Sequence, residues 1–263
     1  MKKVVRIILW VLIIAWFFVM MGFVSSREQA VICSRVEVIL ADSSDLGFIT
    51  KAGVNRMISR KAPGLIGKAM DEIDMNAIET AISENPFIKS ADVYGTVSGT
   101  LGVRIEQRQP VVRVMPNGSS GFYIDREGAV MPVTPGFSPM LLLATGDIDF
   151  PADLLKRGNI GSFSEEEKKM YPALFDIVDF ADYIGKKSFW KNQIVQIYLN
   201  RSGDWELIPR VGAHQIILGP MEGYREKLEK LLLLYKQGLP EYGWNTYDKI
   251  NLKYSNQIIC SKR

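Results

Sequence analysis

The 263 residues are 47% hydrophobic and 23% charged, an ordinary globular composition with room for one core or two. Of the 32 lysines and arginines, Lys2, Lys3 and Arg6 precede an uncharged apolar run, and the other 29 balance the 29 acidic residues. Everything after that run is formally neutral, the whole net charge of +3 belongs to the first six residues, and a general electrostatic pull on nucleic acid is excluded.

The chain opens with the basic tail 1–6 and continues from Ile7 to Val24 as "IILWVLIIAWFFVMMGFV". As a helix rising 1.5 Å per residue this run spans about 27 Å, close to the ~30 Å hydrocarbon core of a bilayer. A cleaved signal peptide is the rival, with Val24 and Ser26 as small residues before Arg27. Its apolar region is usually only ~7 to 15 residues long, so the length and the bulky Trp10, Trp16, Phe17 and Phe18 favour a retained transmembrane helix over 7–24. The positive-inside tendency places the N-terminus in the cytoplasm and the remainder outside, beginning with a stalk over 25–33.

A small unit is expected over 34–109. "RVEVIL" alternates as a strand, and Val54, Met57 and Ile58 repeat at helical spacing before the "APG" turn at Ala62 to Gly64. A second helix is expected to start beside Asp74, a plausible cap, with Met75, Ile78 and Ile82 on one face and Pro86 forbidding continuation. "KSADVYG" and "TLGVRIE" follow as strands around a Gly-Thr-Val-Ser-Gly turn. The order β-α-α-β-β suits helices on a three-stranded sheet, with "QRQP" as the exit.

The stretch 110–263 reads as a β-rich domain with packed helices. "GFYIDREGAVMPV" is a hairpin with Gly128 in the turn, and prolines 132, 135, 139 and 151 mark a surface stretch around "MLLLATG". Ser164-Glu-Glu-Glu is a capping box, and Pro172 either kinks that helix or begins another. Strands are expected at "IVQIYL", "WELIP" and "HQIIL". An amphipathic helix over "YREKLEKLLLLYKQG" buries Tyr224, Leu228, Leu231, Leu232 and Tyr235 and stops at Gly238. The chain ends in "YDKINLKYSNQIIC", where Ile250, Leu252, Tyr254, Ile258 and Cys260 share one parity; this predicts one long terminal strand offering a free sheet edge. The fold class is α+β.

No constellation points to catalysis. His214 is the single histidine, Cys33 and Cys260 lie far apart, and no nucleophile elbow, phosphate loop, dinucleotide fingerprint or calcium loop is present, so neither a metal nor a cofactor is expected. The two cysteines are expected to be unpaired, a disulfide joining the ends of the exported part being the alternative. Asp125 and Glu127 straddle a turn tip, and turn polarity explains them better than a glycosidase pair. "LPEYGWNTYDK" gathers aromatic residues of the kind that core corners and contact surfaces both use.

Taken together, these features resemble the FtsQ/DivIB family of cell-division proteins over essentially the full chain. "NPFIKSADVYGTVSGTLGVRIEQRQPV" is similar to the end of that family's POTRA domain, "FYIDREGAVMPV" to its first β-domain hairpin, and "PRVGAHQIILG" with "INLKY" to its closing strands. Asn251 and Lys253 stand where the family more often has Asp and Arg, and "GTVSGTL" lacks the usual Trp-Pro. The resemblance implies a non-enzymatic divisome scaffold at the septum of the inner membrane, binding FtsB and FtsL and helping to recruit and regulate septal peptidoglycan synthesis. It also implies that a strand of FtsB adds to the C-terminal sheet edge, with Lys253 and Tyr254 matched by position and Ile250, Asn251 and Leu252 by adjacency. The alternatives are an envelope transport or assembly component whose POTRA-like domain receives polypeptides, and a wall hydrolase acting through Asp125 or Glu127.

Overall fold

The computed structural model describes residues 10–20, 31–41, 47–134, 138–254 and 257–262. Residues 10–20 form helix α1, with every side chain exposed; the rest of the expected span, 7–9 and 21–24, lies outside the described residues. Among the described residues no helix is long and apolar enough to cross a membrane.

The chain divides into two compact units. The smaller one gathers the stretch ending at Ile39 with Lys51–Ile82 and Ala91–Ile105. Strand β1 (Arg35–Leu40) lies beside β3 (Thr100–Gln107), which lies beside β2 (Ile88–Gly95), giving the order β1-β3-β2. Helices α2 (Lys51–Lys61) and α3 (Met75–Ser83) present Val54, Ile58, Ile78 and Ile82 to the core, and Leu101, Val103 and Ile105 of β3 are fully buried. The spacing seen in the sequence is what makes this possible, since residues three or four apart share one helix face. Asp74 caps α3 by accepting from the Ala77 backbone N–H at 2.9 Å.

The larger unit is a single nine-stranded sheet with helices packed on it. Its strands are β4 (Pro110–Pro116), β5 (Phe122–Asp125), β6 (Val130–Pro132), β7 (Leu142–Gly146), β8 (Ile194–Leu199), β9 (Trp205–Pro209), β10 (Gln215–Gly219), β11 (Tyr247–Asn251) and β12 (Ile259–Lys262). They lie in the order β12-β11-β10-β9-β8-β7-β4-β5-β6. β7 runs parallel to both β4 and β8, and β10 runs parallel to β11; the remaining neighbours are antiparallel.

The helices are α4 (Leu154–Arg157), α5 (Glu165–Met170), α6 (Pro172–Gly185), α7 (Ser188–Gln193), α8 (Tyr224–Leu233) and α9 (Leu239–Tyr242). The capping box at Ser164 forms, and Pro172 opens α6 at its first turn, where a missing N–H costs nothing. Leu174, Ile177 and Phe180 of α6 join Tyr224, Leu228 and Leu231 of α8 and Val112, Ile197, Leu207 and Ile216 of the sheet in one core. Each such side chain contributes about 1.5–3 kcal/mol by leaving water.

Three sequence expectations are corrected. "MLLLATG" is no surface stretch: Leu142–Gly146 is an inner strand, and Gly146 sits so close to β8 that a Cβ would meet the Leu199 carbonyl oxygen at 2.1 Å. Gly238 does not stop the helix, because a π-turn over Leu234–Gly238 carries it into α9 and keeps both Tyr235 and Leu239 buried. The stop is Gly243, at φ 93°. Finally, the terminal segment is not one strand but a hairpin.

Candidate partner-binding edge

β11 leaves α9 and pairs with β10 through Gln215↔Lys249, Ile216↔Ile250 and Ile217↔Asn251. The backbone N–H of Leu252 donates to the Ile217 carbonyl at 2.8 Å, after which the chain turns. β12 returns antiparallel, setting Ile250 opposite Cys260 and Asn251 opposite Ile259. The outer side of β11 is therefore occupied, and among the described residues the sheet ends at β12, which has β11 as its one strand neighbour. Ile259, Ser261 and Lys262 are exposed.

The five nominated residues take different places in this hairpin. Ile250 and Leu252 are core residues, 0% and 1% exposed. Asn251 is half-buried, and its side-chain oxygen accepts from the Lys253 N–H at 2.9 Å, tightening the turn. Lys253 lies across the sheet end: its Nζ donates to Asp204 at 2.8 Å, and its Cγ stands 2.7 Å from where a Cβ on Gly219 would be. Gly219, at φ 75°, is thus required twice, for its backbone conformation and for the passage of Lys253. Tyr254 is half exposed, and its carbonyl accepts from Lys230 at 3.4 Å.

Sequence reasoning missed the surroundings. A groove of about 450 Å³ lies between the α8–α9 segment and the returning chain, with Leu233, Leu234 and Ile258 as its apolar lining and Lys230, Gln237, Glu241 and Gln257 as its polar one. Leu233, Tyr242, Tyr254 and Ile259 are the exposed large apolar side chains of this C-terminal stretch. Leu233 was legible as an apolar residue off the buried stripe of α8; Ile259 was not, because its facing depends on the hairpin. Cys260 carries a free, half-buried thiol whose pKa burial pushes up, and Cys33 is free and fully buried.

The side chains weighed for chemistry are structural in placement. Asp125 is buried, and its Oδ1 accepts from the backbone N–H groups of Glu127 and Ala129 at 2.9 and 2.8 Å. Arg108 donates to its other oxygen at 3.1 Å, so the carboxylate is committed to its turn. His214 is buried, with Nε2 2.6 Å from the Tyr235 hydroxyl. Among the described residues no three His, Cys, Asp or Glu side chains come together as a metal site would require.

A family model described as FtsQ/DivIB, C-terminal related, matches residues 109–261, and a POTRA-like domain model matches residues 31–106. The chain is 24% identical over 241 residues to a protein of Rhodothermus marinus named Cell division protein FtsQ, covering 88% of this chain and 78% of that protein. It is 25% identical over 203 residues to the protein of the same name from Geobacter sp. strain M21, and 26% identical over 203 residues to that of Geotalea daltonii. Those two matches cover 74% of this chain and 66% of each relative.

Proposed function

Because the chain belongs to the FtsQ/DivIB family of cell-division proteins, we propose that it is a non-catalytic divisome scaffold whose large sheet receives a strand from an FtsB-type partner, held together with FtsL, at the septum. In this reading the N-terminal run anchors the chain once in the inner membrane, with the tail cytoplasmic and both units exported. Septal peptidoglycan synthesis is then recruited and regulated through the proteins so assembled.

The observation that carries the reading is the outer side of β12, which pairs with no strand among the described residues and bears the exposed Ile259. An edge strand offers a row of backbone donors and acceptors, and an added strand satisfies them while neighbouring pockets choose its side chains. Lys253 and Tyr254 keep a role in this arrangement as turn residues flanking the edge, whereas Ile250 and Leu252 hold β11 in the core. The docking strand itself is Ile259–Lys262.

Capture of the partner by the full chain is compared with capture by a variant ending after Tyr254, each checked for native circular dichroism. Retention by the full chain alone supports the edge; equal retention by the folded, shortened chain refutes it. Cys260 labelling separates two modes of addition. A strand added outside β12 slows thiol modification, whereas displacement of β12 by the partner accelerates it.

A further inference from the structure

The cavity at the opposite part of the large sheet, where β4, β7 and β8 begin, is a candidate site of another kind. Three strands separate β8 from β12, so it is distinct from the docking edge. Its volume is about 450 Å³, within the ~300–1,000 Å³ range of small-ligand pockets. The floor is apolar, built by Pro110, Val111, Leu142, Ile184 and Ile194. Around it stand Arg126 on the β5–β6 turn, Lys186 after α6, Lys191 on α7 and Arg210 after β9, against the single acid Asp182.

Charge distinguishes this lining from the rest of the molecule. Residues 27–263 are formally neutral, yet the lining carries a net +3, from four cations and one anion. Asp182 already faces Arg126 at 3.5 Å and also pairs with Lys186. Lys191 and Arg210 have no acidic partner among the described residues; Arg210 spends its Nε on the Asn192 carbonyl at 2.9 Å, which fixes the side chain and leaves its terminal nitrogens for another acceptor. Exposed cations brought together from four elements repel one another, so a bound anion stabilises them.

We propose that this cavity binds a short acidic peptide segment, one apolar side chain entering the cavity and flanking carboxylates meeting Lys191 and Arg210. The cations are distributed over four elements of the lining rather than gathered at one point, which matches carboxylates on both sides of a central apolar side chain. A lipid presents its charge at one end and needs far more apolar volume for two acyl chains. The arginine adds bidentate carboxylate geometry that a lysine cannot supply.

The structure also supplies a means of closing the cavity. Gly185 lines it in ordinary helical conformation, and a Cβ added there would meet no atom within 4 Å. Gly185→Phe therefore fills the opening without backbone strain.

The test is fluorescence anisotropy of the purified full chain with the labelled pentapeptides EELEE, QQLQQ and EESEE. EELEE is expected to bind saturably and to weaken with added salt, with QQLQQ and EESEE each binding much less. Lys191→Glu combined with Arg210→Glu is expected to weaken EELEE about tenfold, and Gly185→Phe to abolish binding while leaving thermal unfolding in place. If Gly185→Phe does not fold, the charge-reversed variant alone decides, since both its sites are exposed. Absence of saturable EELEE binding, equal binding by the charge-reversed variant, or binding of monomeric dihexanoyl phosphatidylglycerol as tight as that of EELEE overturns the proposal.

Discussion

Ile250→Ala separates folding from docking in the C-terminal hairpin. Ile250 is fully buried, in register with Ile216 on one side and Cys260 on the other, so the backbone of two neighbouring strands holds the site open. Large-to-small substitution of a core isoleucine costs about 2–5 kcal/mol, and poor collapse places this one near 4 kcal/mol. Against a typical total of about 5–15 kcal/mol that is a large fraction. Urea unfolding followed by tryptophan fluorescence reads it, because Trp190, Trp205 and Trp244 all report on the core that Ile250 enters. With a slope of about 2–3 kcal/mol per molar, the midpoint falls by about 1.3–2 M at unchanged slope. Partner capture then falls in proportion to the unfolded fraction and recovers at lower temperature. A midpoint within about 0.3 M of the parent would mean that Ile250 is not clamped between β10 and β12, and the hairpin would be wrong. Tyr254→Ala, at a half-exposed turn position, is expected to change the stability read in the same assay by under about 0.5 kcal/mol.

Gly146→Ala places a Cβ against the Leu199 carbonyl at φ 109° and is expected to cost about 3 kcal/mol or more in the same urea assay; a loss below about 1 kcal/mol would deny the close approach of β7 and β8. Burial lowers the pKa of His214, so the unfolded chain takes up its proton first; stability is constant above about pH 6.5 and falls as pH drops below it. His214→Phe is expected to flatten that fall below about pH 6.5, and an unchanged pH profile would exclude His214 as its source. Lys253→Met breaks a partly exposed ion pair with Asp204 and is expected to change stability by less than about 1 kcal/mol, measured by thermal unfolding. Partner capture by that variant nevertheless weakens, if Lys253 flanks the docking edge.

Local grammar was read from the sequence with little loss. Ser164 with Glu167, Pro172 at the start of α6, the Asp125–Gly128 turn and the stripe Tyr224, Leu228, Leu231, Tyr235 each depend on residues within one or two turns of chain. What was not legible depends on distant pairing. β7 looks like an apolar interlude between prolines until it is placed between β4, which ends 26 residues before it begins, and β8, which begins 48 residues after it ends; nothing within residues 140–146 names either neighbour. Gly238 carries the usual sign of a helix stop, yet burying both Tyr235 and Leu239 overrides it through a π-turn.

The terminal segment shows why a correct pattern yielded a wrong topology. Alternation from Tyr247 to Cys260 assigns Ile250 and Cys260 to one face, and so does a hairpin in which they are cross-strand partners. Parity alone cannot distinguish a strand that continues from one that folds back an even number of residues later. The distinction lies in the link: the Leu252 N–H is spent on Ile217, and Asn251 accepts from Lys253, which commits the backbone to turning. The apolar face is buried at Ile250 and Leu252, half-buried at Ile258 and Cys260, and lost at the exposed Tyr254, while the open backbone moves outward by one strand, from 250–254 to Ile259–Lys262. A partner strand of the kind proposed would meet Ile259 and the half-buried Cys260 first, and would reach Lys253 and Tyr254 only at the turn.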